Sequence, residues 1–298
     1  MMRKRGTSPA LLLLTLLTLL AACTEVIDIR SKSYLQDCLA VEATLTNRAD
    51  RPQRIILSRS FSYFKDQPKP MVKGASVKVD DVVFSEAEDG IYVAPEGYCC
   101  APQHTYHLTI DLPDGSSYTA EATMPEEGFR LDAVDYAYVG GMEMGMDSIW
   151  SLGIWGYDKE AYSTYFMTYS VNGLYCPLVM STIAGDLFFN DNEVSGYPIM
   201  YLQQTATYRR QFGDCFKYLE RGDVICLEIW TLDQGYFEFL TAQSSGAISI
   251  PLFTPQPANL PTNIKGRKAA AGYFAICPVV DATVVVDDPL RPYFNLKM

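Results

Sequence analysis

Apolar and polar side chains alternate over residues 39–45, with Leu39, Val41, Ala43 and Leu45 on one side and Glu42 and Thr44 on the other. Successive side chains of a strand point to opposite faces, so this period of two predicts a half-buried β-strand. The pattern then recurs. Ile55–Ser58 reads as a second strand, and Ala75, Val77 and Val79 alternate with Ser76, Lys78 and Asp80. Val82–Phe84 follows across a tight Asp80-Asp81 turn, a hairpin pattern. Asp89-Gly90 turns into Ile91–Val93, and Tyr106, Leu108 and Ile110 alternate with His107, Thr109 and Asp111. Pro113-Asp114-Gly115 is a turn with a mechanism: Pro presets φ, Asp caps and Gly tolerates positive φ. Tyr118, Ala120 and Ala122 close the series. Seven short strands with regularly spaced turns predict an immunoglobulin-like β-sandwich over residues 38–125.

Residues 126–298 read as a second β-rich domain with one short helix, which makes the chain mostly all-β. Its strand candidates are Leu131–Tyr138, Ser148–Trp155, Tyr162–Val171, Thr205–Phe212, Val224–Leu232 and Gly272–Ile276. Asp186–Gly196 reads as a polar loop, and Pro251–Pro261, with four prolines, as an extended connection. Tyr236, Phe239 and Leu240 fall at i, i+3 and i+4 behind Asp233, an N-cap residue, which predicts the helix. The chain carries 20 Tyr, 14 Phe and 3 Trp. Tyr suits both strands and wet recognition surfaces, and filling of the sheets is the favoured reading. Trp150 and Trp155, five apart, would face opposite sides of their strand, with the core as the favoured place for both.

The first 22 residues have the form of an export signal. Arg3, Lys4 and Arg5 form a basic start, and Ala10–Ala22 is apolar except for Thr15 and Thr18. That run is too short to cross a bilayer as a helix but fits the apolar region of a secretory signal. Leu20-Ala21-Ala22-Cys23 resembles a bacterial lipobox. Signals of that kind imply diacylglycerol attachment at Cys23, cleavage before it and acylation of the new amine. Several acyl chains make a stable anchor, at about 0.8 kcal/mol per buried CH₂. Residues 23–37 then read as a tether. Glu25 and Asp28 resemble the acidic positions of a surface-export signal, which leaves the periplasmic and the cell-surface face both open.

Loss of the three basic residues takes the formal charge from −11 to −14. Such a surface repels phosphate backbones and argues against nucleic-acid binding. Beyond Cys23 there are seven cysteines, Cys38, Cys99, Cys100, Cys176, Cys215, Cys226 and Cys277. An exported chain can form disulfides, but an odd count leaves at least one thiol free or paired between chains. Adjacent Cys99 and Cys100 have poor geometry for each other, leaving one of them as a partner for Cys38. The four late cysteines allow three connectivities.

Catalytic and metal patterns are weak, and the expectation is no enzyme, no cofactor and no metal. His104 and His107, three apart on a strand, would point to opposite faces. Ser62-Tyr63-Phe64-Lys65 matches S-x-x-K, but that motif works on a helix and its companions are missing. Asn190, Asp191, Asn192 and Glu193 offer oxygen ligands without the longer pattern of a calcium loop, so a solvated loop is favoured. A carboxylate pair for glycoside hydrolysis depends on three-dimensional spacing that sequence does not give.

Several segments together resemble a lipoprotein family typical of Bacteroidetes, the domain of unknown function 4249. They are Leu39–Asn47, Val72–Asp80, Asp89–Tyr92, Asp114–Ala120, Met124-Pro125 and Phe189–Gly196. The most specific is Pro261–Gly266 followed by Gly272-Tyr273-Phe274. The chain departs from the family pattern at Cys99–Pro102 and at Arg267, where glycine turns are usual. The resemblance implies a two-part, β-rich outer-membrane lipoprotein, of a kind often encoded beside TonB-dependent receptors, with a role near nutrient import; the sequence leaves a small-molecule, peptide or glycan ligand open. It supplies no catalytic residues. A lipid-anchored hydrolase and a structural or adhesive surface protein are the alternatives.

Overall fold

A computed structural model describes residues 38–60, 68–126, 128–140, 148–158, 163–175, 182–184, 193–204, 218–247 and 260–295. The first strands are β1 (Leu39–Thr46), β2 (Arg54–Arg59), β3 (Ser76–Val79), β4 (Val82–Glu88) and β5 (Ile91–Val93). Next come β6 (Thr105–Asp111), β7 (Ser117–Thr123), β8 (Phe129–Gly140), β9 (Ser148–Asp158), β10 (Thr164–Val171), β11 (Leu174–Tyr175) and β12 (Thr182–Ala184). The chain continues with β13 (Glu193–Gln204), β14 (Val224–Leu232), helix α1 (Gln234–Ala247), β15 (Lys265–Gly266), β16 (Ala270–Cys277) and β17 (Val279–Val285). The fold is mostly β with one helix in the described residues.

Nine strands join in the order β15-β7-β6-β3-β4-β5-β2-β1-β16. All seven strands expected before residue 125 are among them. On β1, Leu39, Val41, Ala43 and Leu45 are buried to 1% exposure or less, and Glu42 faces out, as the alternation requires. β4 belongs to two neighbours: Val82–Phe84 pairs with β3 and Ser85–Glu88 with β5. The sheet therefore turns over on itself about a core that includes Ile55, Val77, Tyr92, Leu108, Tyr118 and Phe274. Lys265–Cys277 return across the division expected at residues 125/126, and Gln36–Met298 form one compact unit. β16 pairs in parallel with β1; its second half, Phe274–Cys277, is buried on both faces, and the strand reads accordingly as an apolar run.

Two smaller sheets enclose a second core. One has β17 next to β14, then β10, with β11 and β12 both paired to β10; the other runs β13-β9-β8. Tyr136, Trp150, Leu152, Tyr165, Tyr169, Leu227 and Ile229 fill the space between them. Buried tyrosines thus serve as sheet filling. Helix α1 starts where Asp233 Oδ1 accepts from Tyr236 N at 3.0 Å, an N-cap as expected. Its Leu240, Tyr236 and Phe239 pack with Tyr273, Ala275 and Cys277 on the outer face of β16 and with Trp230 of β14.

Three expectations change. Glu193–Gly196 opens strand β13, so the polar loop expected over Asp186–Gly196 ends sooner; residues 185–192 lie outside the described residues. β17 had no counterpart in the sequence reading. Neither Cys99 nor Cys100 bridges to Cys38: the Cys100 amide bonds Thr46 O at 2.9 Å, at the far end of β1 from Cys38. Burial raises the Cys100 thiol pKa to about 11. Cys176, Cys215 and strand candidate Thr205–Phe212 lie outside the described residues, as does Pro251–Asn259.

Candidate functional site

The turn between β1 and β2 presents its charges because Gln53 satisfies its backbone. Gln53 is buried, accepts from Thr46 N at 2.8 Å and donates to Arg48 O at 2.8 Å. Arg48 and Arg51 then project onto the outer face of β14 and β17. Arg48 holds both oxygens of Asp50 at 2.9 Å and also reaches Asp281. Arg51 pairs with Glu228, a carboxylate with no exposed surface and the one charged residue of strand β14. The Tyr175 hydroxyl also donates to Glu228, and Trp230 Nε1 donates at 3.2 Å.

Burial alone would raise the Glu228 carboxyl pKa. Hydrogen bonds from Arg51 and Tyr175, with the Arg51 charge, outweigh it and hold the group below the usual glutamate value. Burial and the bond to Glu228 push the Tyr175 hydroxyl up to about 12, so it keeps its proton and remains a donor. Three protein donors, Arg51 and Tyr175 on Oε1 and Trp230 on Oε2, hold Glu228, which makes it a fixed anchor for the turn.

On the other side of β17 lies a cleft of about 620 Å³ between β17 and β8. Leu131–Asp135 and Asp281–Val285 line it, with Asp287, Arg291 and Asn295. Consecutive residues from both strands contribute, as expected when a cleft runs along strand edges; a cleft over a sheet face would meet alternate residues. Residues 287–295 strap across β8 and β9. Tyr138 N donates to Arg291 O at 2.7 Å, and Trp150 Nε1 donates to Pro289 O at 2.6 Å. Gly153 leaves the room that the Phe294 ring occupies, and Phe294 meets Trp155 edge-on at 5.8 Å. Both tryptophans are buried.

Arg291 fastens the strap. Its guanidinium pairs with buried Asp135, donates to Tyr136 O at 3.0 Å and stacks over the Tyr136 ring at 4.3 Å. Its Nε–H, also buried, has no hydrogen-bond partner among the described residues. The Tyr136 hydroxyl donates to Asp287 Oδ1 at 2.6 Å and accepts from the amides of Asp287 and Asp288. That donation lowers the Asp287 carboxyl pKa.

The histidines behave otherwise than expected. His104 lies just before β6, so strand alternation does not separate it from His107. Both rings come to Asp80 in the β3–β4 turn, His104 Nε2 at 3.3 Å and His107 Nδ1 at 3.2 Å. Among the described residues, no group of three His, Cys, Asp or Glu side chains is arranged to hold a metal ion. Glu193, expected in an oxygen-rich loop, is exposed at the start of β13. Cys23, the Ser62–Lys65 motif and residues 190–192 lie outside the described residues.

The family described as a domain of unknown function, DUF4249, matches residues 24–283. The chain belongs to the DUF4249 family. No curated protein matches it. The segments that suggested DUF4249 now have physical roles. Asn263 donates from Nδ2 to Glu121 O of β7 at 3.1 Å and to Phe274 O of β16 at 2.7 Å, and accepts from Phe274 N at 3.0 Å. One side-chain amide thus stands in for a strand between β7 and β16. Gly266 lies against the Tyr118 ring, where a Cβ would clash, and Gly272 has φ +93° against the Val41 carbonyl. Arg48, Arg51, Glu228, Asp135 and Arg291 were not singled out from sequence. Glu228, the one charged residue of the run Val224–Leu232, was the one signal available.

Proposed function

We propose that this DUF4249 protein is a lipid-anchored outer-membrane binding protein, attached through Cys23, that serves a TonB-dependent receptor in nutrient uptake. The observation that carries this reading is the order of the N-terminal signals: basic start, short apolar run, lipobox, with the family match beginning at Thr24, directly after Cys23. Fourteen residues separate Cys23 from Cys38, where the described fold begins. At about 3.5 Å per residue they span at most roughly 50 Å, enough to hold a domain beside the membrane. The cleft between β8 and β17 supplies a surface for recognition. The engaged state of Glu228, Tyr175 and Arg51 favours binding over bond-breaking at the charged joint.

Cys23→Ala is expected to move the protein from the membrane to the soluble fraction, and unchanged membrane retention would refute the anchor. Pull-down of the native protein from detergent-solubilised outer membranes should bring a TonB-dependent barrel in stoichiometric amount. Recovery of the lipoprotein alone would count against the uptake role and favour adhesion or an enzyme.

A further inference from the structure

A sheet edge is a row of unpaired backbone groups, and in β17 that row can be read residue by residue. Val286 donates to Asp223 O and accepts from Gly222 N, both at 2.8 Å, and Pro278 O accepts from Thr231 N at 3.0 Å. Even-numbered residues therefore turn their backbone groups toward the β14 side. Odd-numbered residues turn theirs the other way. The first odd position is already filled: Val279 N donates to Asn47 Oδ1 at 2.9 Å, and Asn47 Nδ2 donates to Val279 O at 3.3 Å. Asp281, Thr283 and Val285 follow, and among the described residues their backbone groups have no partner. They line the cleft, where the buried Arg291 Nε–H also lacks an acceptor among the described residues. The facing edge of β8 is taken at Tyr136 O and Tyr138 N by Arg291 of the strap. Four carboxylates, Asp132, Asp135, Asp281 and Asp287, line the cleft; Arg291 serves Asp135 and Asp287, Arg130 serves Asp132 and Arg48 serves Asp281, so four negative charges meet three positive ones, an excess of one negative charge.

We propose that the free edge of β17 receives an extended segment of a partner polypeptide, added as a strand along Asp281, Thr283 and Val285 and carrying basic side chains. Strand addition takes its affinity from main-chain hydrogen bonds and its selectivity from alternate side chains. Here the alternation is set by β17. Basic residues of the incoming strand lie level with Asp281, and apolar ones lie level with Ala282 and Val284, which pack on the second core. A carbonyl of the same segment gives the Arg291 Nε–H its acceptor. The proposal concerns the folded domain and does not depend on the anchor at Cys23.

The test is fluorescence anisotropy on the full-length protein in detergent micelles. The probe is a labelled hexapeptide of alternating valine and lysine. Two comparison peptides are used: one with glutamate in place of lysine, and one N-methylated at every second residue. Saturable binding of the lysine peptide is expected. It should weaken at least tenfold on N-methylation, which removes the donors on one edge, and at least tenfold with glutamate. Thr283→Pro should also weaken it at least tenfold, whereas Thr283→Val should leave it unchanged. The Thr283 N–H faces away from β14, so proline there removes no ladder bond. If Thr283→Pro does not fold, the N-methylated peptide decides. The proposal is overturned by no binding of the lysine peptide, by equal binding of the N-methylated or glutamate peptide, or by a folded Thr283→Pro variant that binds normally. Dimerisation lost in Thr283→Pro would also overturn it, since the edge would then serve a second copy of this chain.

Discussion

The nine-stranded sheet and the pair of smaller sheets solve the same problem differently. Each must hide strand edges and fill a core. The nine-stranded sheet hides its edges by nearly closing: β16 covers β1, β15 covers β7, and Asn263 spans from β7 to β16. Its core is apolar, with tyrosine hydroxyls such as Tyr92 bonded to backbone at 3.0 Å. The smaller sheets are held from outside by charge, with Arg48 and Arg51 on one side and the Arg291 strap on the other. They leave β17 open beside a cleft. Unpaired edges are a liability that closed sheets abolish, and the open one, set among carboxylates, is why recognition is proposed for the second region. The first region is the frame that holds it.

If the frame depends on close backbone approach, its weakest point to mutation is Gly272. A Cβ there would fall inside the Val41 carbonyl, on the strand paired with it, and its φ of +93° disfavours any other residue. Backbone cannot give way as a side-chain tip can. Gly272→Ala is expected to cost about 4 kcal/mol or more, at the far end of single substitutions. Loss of folded protein, or a matching drop in denaturant midpoint, is the expected result. A change below about 1 kcal/mol would show that the β1–β16 pair is looser than the register implies.

The second region should instead be sensitive to charge and pH. Removing one member of an ion pair strands the other, so Arg51→Ala, which leaves the fully buried Glu228 carboxylate without its charge partner, is expected to cost about 3–5 kcal/mol. Arg51→Ala combined with Glu228→Ala should cost less than the two changes added, because they share one interaction. The Glu228 carboxyl is held below its unfolded value. Its contribution is therefore complete above the ordinary glutamate range, near 4.3, and is lost as pH falls through the lower folded value. Denaturation midpoints measured from neutral to acid pH should show this loss in the parent and not in Glu228→Ala. Parallel curves would sink the assignment of Glu228 as the anchor.

What was legible from sequence follows the same division. The seven strands before residue 125 were legible because each has one dry face and one wet face, the condition under which period two appears. β16, dry on both faces over Phe274–Cys277, still showed as an apolar run. β17 was missed because Asp281 and Thr283 interrupt Val279–Val285, and their reason lies elsewhere: Asp281 meets Arg48, 233 residues away. The Asp135–Arg291 pair is separated by 156 residues and the Asn47–Val279 bond by 232, distances that no local pattern encodes. The histidines were misplaced by applying strand alternation to His104, which precedes its strand. Family motifs gave the positions of Asn263 and Gly272 but not their reasons.

Asn263 offers the finest test of the contrast, because it acts by closing an edge and not by filling space. Asn263→Ala leaves the backbone groups of Phe274, a fully buried residue, without partners on that side. Orphaned backbone groups at such a site should cost about 1–3 kcal/mol, less than the losses at Gly272 and Arg51. Asn263→Asp should fare no better: a carboxylate can accept from Phe274 N but cannot donate to the carbonyls of Glu121 and Phe274, which it would repel. Stability alone does not separate closure from a general loosening, so amide hydrogen exchange is the deciding measurement. Closure predicts faster exchange at the Phe274 amide and along β7 and β16, with β9, β10 and β14 unchanged. If protection falls equally in both regions, Asn263 supports the fold as a whole, and the division into a closed frame and an open reading edge is wrong.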